Sequence, residues 1–427
     1  MTSLRVDRDR LRGDLEALGR IGAHPEGGVT RLAFTDEDAR AREWIRARME
    51  EAGLEVRSDP AANLFGRREG RQPDAPVLLA GSHLDTVPRG GIFDGALGVL
   101  AALEAVRTLD DEGTDLRHPV EIVVWSDEEG IRFGPGVFGS RAFAVGIGAP
   151  ELERTDEGGT TVARALEAFG GDPGALDGPL CEPGGFAAYL ELHVEQGPVL
   201  ERSGIPVGVV EGIVGIGRWR VTLRGAANHA GTTPMAERRD AVVAAGRLAA
   251  RARDLIRATP GDPVGNVGWI RAEPGAANVV AGRATLPVEL RALDLDVVER
   301  LAERIEDAAR EIGEEEGVEV EVRQTGRVPP ALTHPALRDA LDRAAEEAGI
   351  HARRMPSGAG HDAQAVVRAG IPTGMLFVPS RDGISHAPGE WTEWEDCARG
   401  AEVLYGALRI VDREGAPNPD SYTEASP

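Results

Sequence analysis

The stretch Pro76–Val106, "PVLLAGSHLDTVPRGGIFDGALGVLAALEAV", holds one unit of structure from end to end. It opens on an apolar run closing at Ser82, passes through a glycine-rich segment carrying His83, Asp85 and Asp94, and ends in a helical pattern. A short continuous apolar run is the mark of a strand buried on both faces. Further runs of the same kind follow at "PVEIVVWS", "FAAYLELHV" and "TGMLFVPS", separated by helical patterns. This alternation predicts an α/β fold with a sheet flanked by helices. Ligands of such sheets collect in loops at the carboxyl ends of the strands, which directs His83 and Asp94 into a candidate site.

Outward from that stretch, "TDEDARAREWIRARMEEAGL" from Thr35 reads as a helix. Thr35 and Asp38 form a capping box, Ala41, Ile45, Met49 and Ala52 mark one face, and Gly53 is the stop. Between Gly212 and Thr325 the order becomes strand, helix, strand, strand, helix, strand, in "GRWRVTLRG", "RDAVVAAGRLAARARDLIRA", "NVGWIRAEP", "RATLPVELRAL", "DVVERLAERIEDAAREIGEE" and "VEVEVRQT". Val297, Leu301, Ile305, Ala308 and Ile312 draw one apolar stripe on the second helix. The order is that of a ferredoxin-like α+β unit. The expected organisation is therefore a catalytic domain in residues 1–211 and 327–427, interrupted by an inserted lid or dimerisation domain in 212–326. The polar, proline-containing tail from Arg413, "REGAPNPDSYTEASP", is expected to be mobile.

A chain of 427 residues with 41% hydrophobic content has material for two cores. Acidic residues number 71 against 48 basic ones, and the formal charge of -23 opposes binding to phosphate backbones or anionic lipid. All the basic residues are arginine. The absence of lysine excludes a Schiff-base lysine, a P-loop lysine and a carbamylated lysine bridging two metals. Cys181 and Cys397 stand far apart, so neither a disulfide framework nor a zinc ribbon is expected, and the compartment that fits is the reducing cytoplasm. No run of about 18 apolar residues occurs, and no basic start leads into an apolar segment, so neither membrane spanning nor export is expected.

The chemistry concentrates at the ends of the apolar runs. In "EIVVWSDEEGIRFG", Glu121 to Gly134, three carboxylates, Asp127, Glu128 and Glu129, stand at the mouth of a strand. His193 lies in "LELHVEQG" and His386 in "SRDGISHAPGEWT". Singly, these motifs have plain readings, a glycine-rich loop with a capping aspartate or a solvated acidic turn. Together they bring histidine and carboxylate from four strand ends to one sheet edge, without thiolate. That donor set suits zinc, manganese, cobalt or nickel. Two divalent ions about 3.5–4 Å apart need a bridging carboxylate and a separate ligand set each, and the number of donors fits. Asp127 is expected to cap the turn, and Asp85 to accept the free ring N–H of His83.

In order and in kind, the motifs resemble those of the metal-dependent M20 peptidase superfamily, and within it the hydantoinase/carbamoylase amidases. The resemblance runs from about Arg10 to about Arg409. It implies a zinc-exopeptidase-like mixed sheet and two divalent ions per subunit, zinc first, with manganese, cobalt or nickel also accepted. It further implies His83, Asp94 and His193 as ligands of one ion, with Asp94 shared, Glu129 and His386 as ligands of the other, and Glu128 as general base. Neighbours on an extended chain project to opposite sides, which would let Glu129 face an ion and Glu128 the attacking water. By the same resemblance His229, in "RGAANHAGTTPMAERRDA", crosses a homodimer interface to polarise the scissile carbonyl. Arg218, Asn278 and Arg291 would grip a substrate carboxylate, a task suited to the planar fork of arginine. Gln196 and the "SGAGHDA" loop with Gly358 would line the site, His361 and Asp362 ordering that loop. The implied reaction is hydrolysis of a linear amide or ureido C–N bond in a small carboxylate-bearing molecule, first an N-carbamoyl-L-amino acid. Allantoate and β-ureidopropionate are the alternatives, with dipeptides or acylated amino acids behind them. Nucleic acid and membrane are not expected partners. A binding protein that had lost catalysis would lack a ligand or the base, and the sequence lacks none.

Overall fold

The structure, a computed structural model, describes residues 4–182 and 184–418. Two compact units emerge, one from the chain up to Gly212 and again from Leu332, the other from Ile213–Ala331.

The first unit is built on a nine-stranded mixed sheet. Its centre is four strands in the order Val120–Trp125, Val77–His83, Phe186–Val194 and Thr373–Val378, each parallel to the next. They are the four apolar runs, and every residue in them except Phe186 is buried. Parallel strands covered on both faces require this unbroken apolar character. Because they run the same way, their carboxyl ends share one edge. Leu64–Arg68 pairs antiparallel to Val120–Trp125 at one flank, and Val207–Ile213 pairs antiparallel to Thr373–Val378 at the other. Strand Val77–His83 includes His83, one residue beyond the expected end.

Helices Asp36–Glu51, Ala96–Asp111, Pro335–Ala348 and Trp394–Glu414 share one core with the sheet, in which Ile45, Leu100, Leu192, Leu341, Leu376 and Leu404 are buried. Helix Ala96–Asp111 lies close because of Gly98, where a Cβ would stand 2.3 Å from the carbonyl oxygen of Leu192. On Asp36–Glu51, Ala41, Ile45 and Met49 are fully buried, and Thr35 accepts the Asp38 N–H at 3.5 Å. The capping box is not closed as expected. The Asp38 carboxylate accepts the Phe34 N–H at 2.9 Å and pairs with Arg42 at 3.0 Å, because a buried arginine one turn along needs a counter-charge.

The second unit has the strand order Arg271–Glu273, Arg283–Ala292, Gly215–Arg224, Glu319–Val328, with helices Ala241–Arg257 and Leu295–Glu316. This is the ferredoxin-like order, and its own core includes Val221, Leu223, Leu248, Leu286, Leu290 and Leu301. The last strand, Glu319–Val328, crosses residue 326, the expected end of the insert. Two sequence expectations are corrected. The run "NVGWIRAEP", Asn266–Pro274, is strand only at Asn266, the last residue of Val264–Asn266, and at Arg271–Glu273, and these two short strands pair with opposite ends of Arg283–Ala292. Its residues are almost all exposed, so no buried face holds it in one register. The helix stripe gains Val298, which is buried, beside Val297, which packs partly buried against the same core, since a straight helix turns past a strict four-residue step.

Helix Trp394–Glu414 takes in the first residues of the expected mobile tail, and residues 419–427 lie outside those described. Among the described residues, no helix is long and apolar enough to cross a membrane.

Candidate metal centre

His83 closes one parallel strand and His193 is the penultimate residue of its neighbour, so the sheet itself sets the spacing of the two imidazoles. His83 Nδ1 contacts the backbone carbonyl of Asp85 at 3.0 Å, and His193 Nδ1 that of Val194 at 2.9 Å. A carbonyl only accepts, so both Nδ1 atoms carry hydrogen and both Nε2 atoms turn toward the site. Facing them is Asp94, whose Oδ1 lies 3.4 Å from His83 Nε2 and 3.2 Å from His193 Nε2. Asp94 is delivered by Gly95, at φ 63, where a Cβ would stand 2.5 Å from the His83 ring. The other oxygen, Asp94 Oδ2, lies 3.3 Å from His386 Nε2, which in turn is 3.6 Å from Glu129 Oε2. Two donor groups result, His83 with Asp94 and His193, and Asp94 with Glu129 and His386, each with its atoms within 4.8 Å of one another.

These residues fit divalent metal. With their Nδ1 atoms committed as donors, the gaps between the Nε2 atoms of His83 and His193 and the Asp94 carboxylate need a positive charge in them. With a proton there, His83 and His193 titrate above the ordinary imidazole range, although burial pulls them the other way, because Glu128 and Asp94 face them. Burial alone would raise Asp94, but His193, His386 and His83 hold it well below the usual carboxylate range. His386, bonded to Asp94, is raised to about 9. Glu129 is pushed up to about 7 by burial and by Asp94, and its buried Oε1 has no hydrogen-bond partner among the described residues. A cation would relieve all of these at once. A third donor group, Glu191 with His193 and His361, is already satisfied. Glu191 accepts from Ser82 Oγ at 2.8 Å, Tyr189 OH at 3.1 Å and Ala363 N–H at 2.9 Å, and His361 Nε2 meets Ser357 Oγ at 3.0 Å.

The carboxylates at the strand mouth are arranged differently from expectation. Asp127 has φ 50, and the chain bends directly after the strand, so Glu128 and Glu129 do not alternate along extended backbone. What orients them is Asp85. Its Oδ1 accepts the Glu128 N–H at 3.2 Å and its Oδ2 the Glu129 N–H at 3.1 Å. Asp85 therefore does not hold the His83 ring by its carboxylate, which stands 3.8 Å away; its backbone carbonyl does that. The bend leaves two N–H groups without a ladder partner in a nearly dry site, and they claim the acid. Glu128 Oε2 is 3.8 Å from His83 Nε2, and burial pushes this carboxyl well above its usual range, with His83 opposing. Burial does the same to Asp127, which takes the Gly130 N–H.

Gln196, at φ 58, reaches into the centre, where its Nε2 donates to Asp94 Oδ2 at 2.8 Å and lies 3.1 Å from His386 Nε2. Gly358 is exposed on its loop. Arg218, Asn278, Arg291 and His229 belong to the second unit. Arg218 and Arg291 flank one carboxylate, Glu289, at 2.7 Å each. The Asn278 carbonyl accepts the Ala230 N–H at 2.9 Å, and the exposed His229 accepts the Gly231 N–H at 3.0 Å. Two buried acids near the centre escaped the sequence reading. Glu191 had a usable signal, a charge inside the apolar run "YLELHV" that must be paired wherever it is buried. Glu390 had none, since the Asp94 N–H that it accepts lies on a loop remote in sequence.

Fold and donor set define the class: an α/β protein with a candidate divalent-metal centre at the carboxyl edge of a largely parallel sheet. The sequence profile of peptidase family M20/M25/M40 matches residues 79–410, and the chain belongs to that family. It is 44% identical over 400 residues to the N-carbamoyl-L-amino acid amidohydrolase of Geobacillus stearothermophilus, covering 94% of this chain and 97% of that protein. It is 38% identical over 402 residues to the allantoate amidohydrolase of Escherichia coli (strain K12), covering 93% of this chain and 96% of that protein. Among solved structures, a hydantoinase/carbamoylase family amidase from Burkholderia multivorans superposes with a TM-score of 0.88 at 38% identity, covering 95% of this chain and 98% of that one.

Proposed function

We propose that the protein is a metal-dependent amidohydrolase that cleaves the ureido C–N bond of an N-carbamoyl-L-amino acid, releasing the amino acid, carbon dioxide and ammonia. The observation that carries this reading is Asp94, one carboxylate set against the Nε2 atoms of three histidines. The likeness to the Geobacillus amidohydrolase supports the substrate. His83, Asp94 and His193 would hold one divalent ion, and Asp94, Glu129 and His386 a second. Zinc is our first assignment, and the same donors accept manganese, cobalt or nickel. Ions held there supply Lewis acidity for the substrate carbonyl and for water.

The chain's own residues do the rest. Glu128 takes the proton of the attacking water and gives it to the departing nitrogen, a task suited to a carboxyl whose pKa is pushed up. Asp85 holds the backbone of both glutamates in place for this. Gln196 and Gly358 line the site in this reading. Arg218, Asn278 and Arg291 bind the substrate carboxylate, with Glu289 giving up a guanidinium to it. His229, brought across a symmetric homodimer, donates to the developing oxyanion. The cytoplasm is the compartment that suits two unpaired cysteines. A second reading, allantoate hydrolysis, is favoured by the likeness to the Escherichia coli protein.

The test is ammonia release by metal-reconstituted protein from a panel of N-carbamoyl-L-amino acids, allantoate, β-ureidopropionate and dipeptides. The highest kcat/KM is expected on an N-carbamoyl-L-amino acid. A preference for allantoate selects the second reading, and turnover of dipeptides alone overturns both.

A further inference from the structure

Glu390 stands outside the donor groups, yet each of its oxygens is committed to a loop that carries a donor. Oε1 accepts the backbone N–H of Asp94 at 3.1 Å, and Oε2 accepts the hydroxyl of Ser385, the residue before His386, at 3.0 Å. Ser385 Oγ also lies 3.3 Å from Asp94 Oδ2, so two carboxylates compete for a single hydroxyl proton. The opposing loop is shaped around this acid. A Cβ on Gly91 would fall 2.1 Å from Glu390 Oε1, and Gly91 has no positive φ to require glycine otherwise, so space alone demands it. Phe93, the residue before Asp94, packs on Trp391 and Trp394 with ring centroids 5.4 Å and 5.3 Å apart, which fixes the same two segments together.

Resting on the reading of Asp94, Glu129 and His386 as an ion pocket, we propose that Glu390 is a positioning residue that sets Asp94 against His386 and so tunes the affinity of that pocket. The effect is selective by construction. Asp94 Oδ2 faces His386, and both of these residues sit on loops. Asp94 Oδ1 faces His83 and His193, whose imidazoles are fixed by adjacent strands and their own backbone carbonyls. Removing the strap should loosen the loop-built pocket and spare the strand-built one.

The experiment titrates zinc(II) into metal-free protein against a chromogenic chelator, for wild type, Glu390→Ala, Glu390→Gln, Gly91→Ala and His386→Ala, and records the thermal midpoint of each metal-free form. Glu390→Ala is expected to keep wild-type affinity for one equivalent and to bind the other about 10- to 100-fold more weakly. Gly91→Ala, which displaces the acid, should do the same, and Glu390→Gln, which keeps an acceptor for the Asp94 N–H, should fall between them and wild type. Excess zinc should restore kcat in Glu390→Ala. Equal weakening of both equivalents, together with a lower metal-free midpoint, means a general folding role and overturns the proposal. Wild-type affinity at both equivalents overturns it as well. If Glu390→Ala does not fold, Gly91→Ala and Glu390→Gln decide by the same criteria. His386→Ala separates the two levels: if it takes up as much zinc as wild type, the pocket itself is misassigned, and if it loses one equivalent while Glu390→Ala matches wild type, only the role of Glu390 falls.

Discussion

Two backbone N–H groups, those of Glu128 and Glu129, end on the one carboxylate of Asp85, and this makes Asp85 the residue on which the geometry of the acids depends. Asp85→Asn keeps the size but can accept at one oxygen only, leaving one N–H opposed by an amide. Activity or metal affinity should fall about 10- to 100-fold, as for other residues that orient ligands, with the His83 contact to the Asp85 backbone carbonyl retained. An unchanged kcat/KM at limiting metal would show that the bend holds without it. Glu128→Gln is the sharper change. Without a group to carry the proton, kcat should drop about 10²- to 10⁴-fold while metal content, measured by mass spectrometry, stays at wild-type level. Full activity of that variant would remove Glu128 from its role. That these histidines and acids gather at one sheet edge was legible, because each has a plain structural use alone but all stand at the ends of apolar runs. Their orientation was not. It turns on the φ of Asp127 and on which acceptor a stranded N–H finds, and neither is written in residue types.

At the scale of elements, burial decided what could be read. The four central strands are covered on both faces, so their sequences are apolar throughout and their identity follows from composition alone. The run from Asn266 to Pro274 is mostly exposed, carries no such constraint, and is strand only at Asn266 and at Arg271–Glu273 where one continuous strand was expected. Helix Ala96–Asp111 shows how closely elements are fitted. Gly98→Ala would place a methyl group 2.3 Å from the Leu192 carbonyl oxygen, so the helix must lift from the sheet. A loss of about 1–3 kcal/mol is expected, the range for overpacking in a close-fitted core. Equilibrium urea unfolding measures it. Since Asp94 and Gly95 lead into this helix, metal affinity should fall with stability, and a variant as stable as wild type would show that the backbone yields at no cost.

For the molecule as a whole, the division into two units makes a separate prediction. Ile213–Ala331 has its own sheet, two helices and a core with residues such as Leu223, Leu248, Leu286 and Leu301 fully or nearly fully buried. Expressed alone, it should give a single sigmoidal thermal transition by circular dichroism. A featureless melt would mean that its stability is borrowed from the rest of the chain. The order of the strands has a consequence for how the protein matures. Val77–His83 and Phe186–Val194 are neighbours in the sheet and both leave the ribosome before the insert is made, so the trio of His83, Asp94 and His193 is present on the nascent chain early. His386 emerges only after the whole insert has been made. On the proposed reading, newly made polypeptide could hold an ion at that trio before the pocket of Asp94, Glu129 and His386 exists, so cells starved of metal should accumulate half-loaded protein in preference to empty protein.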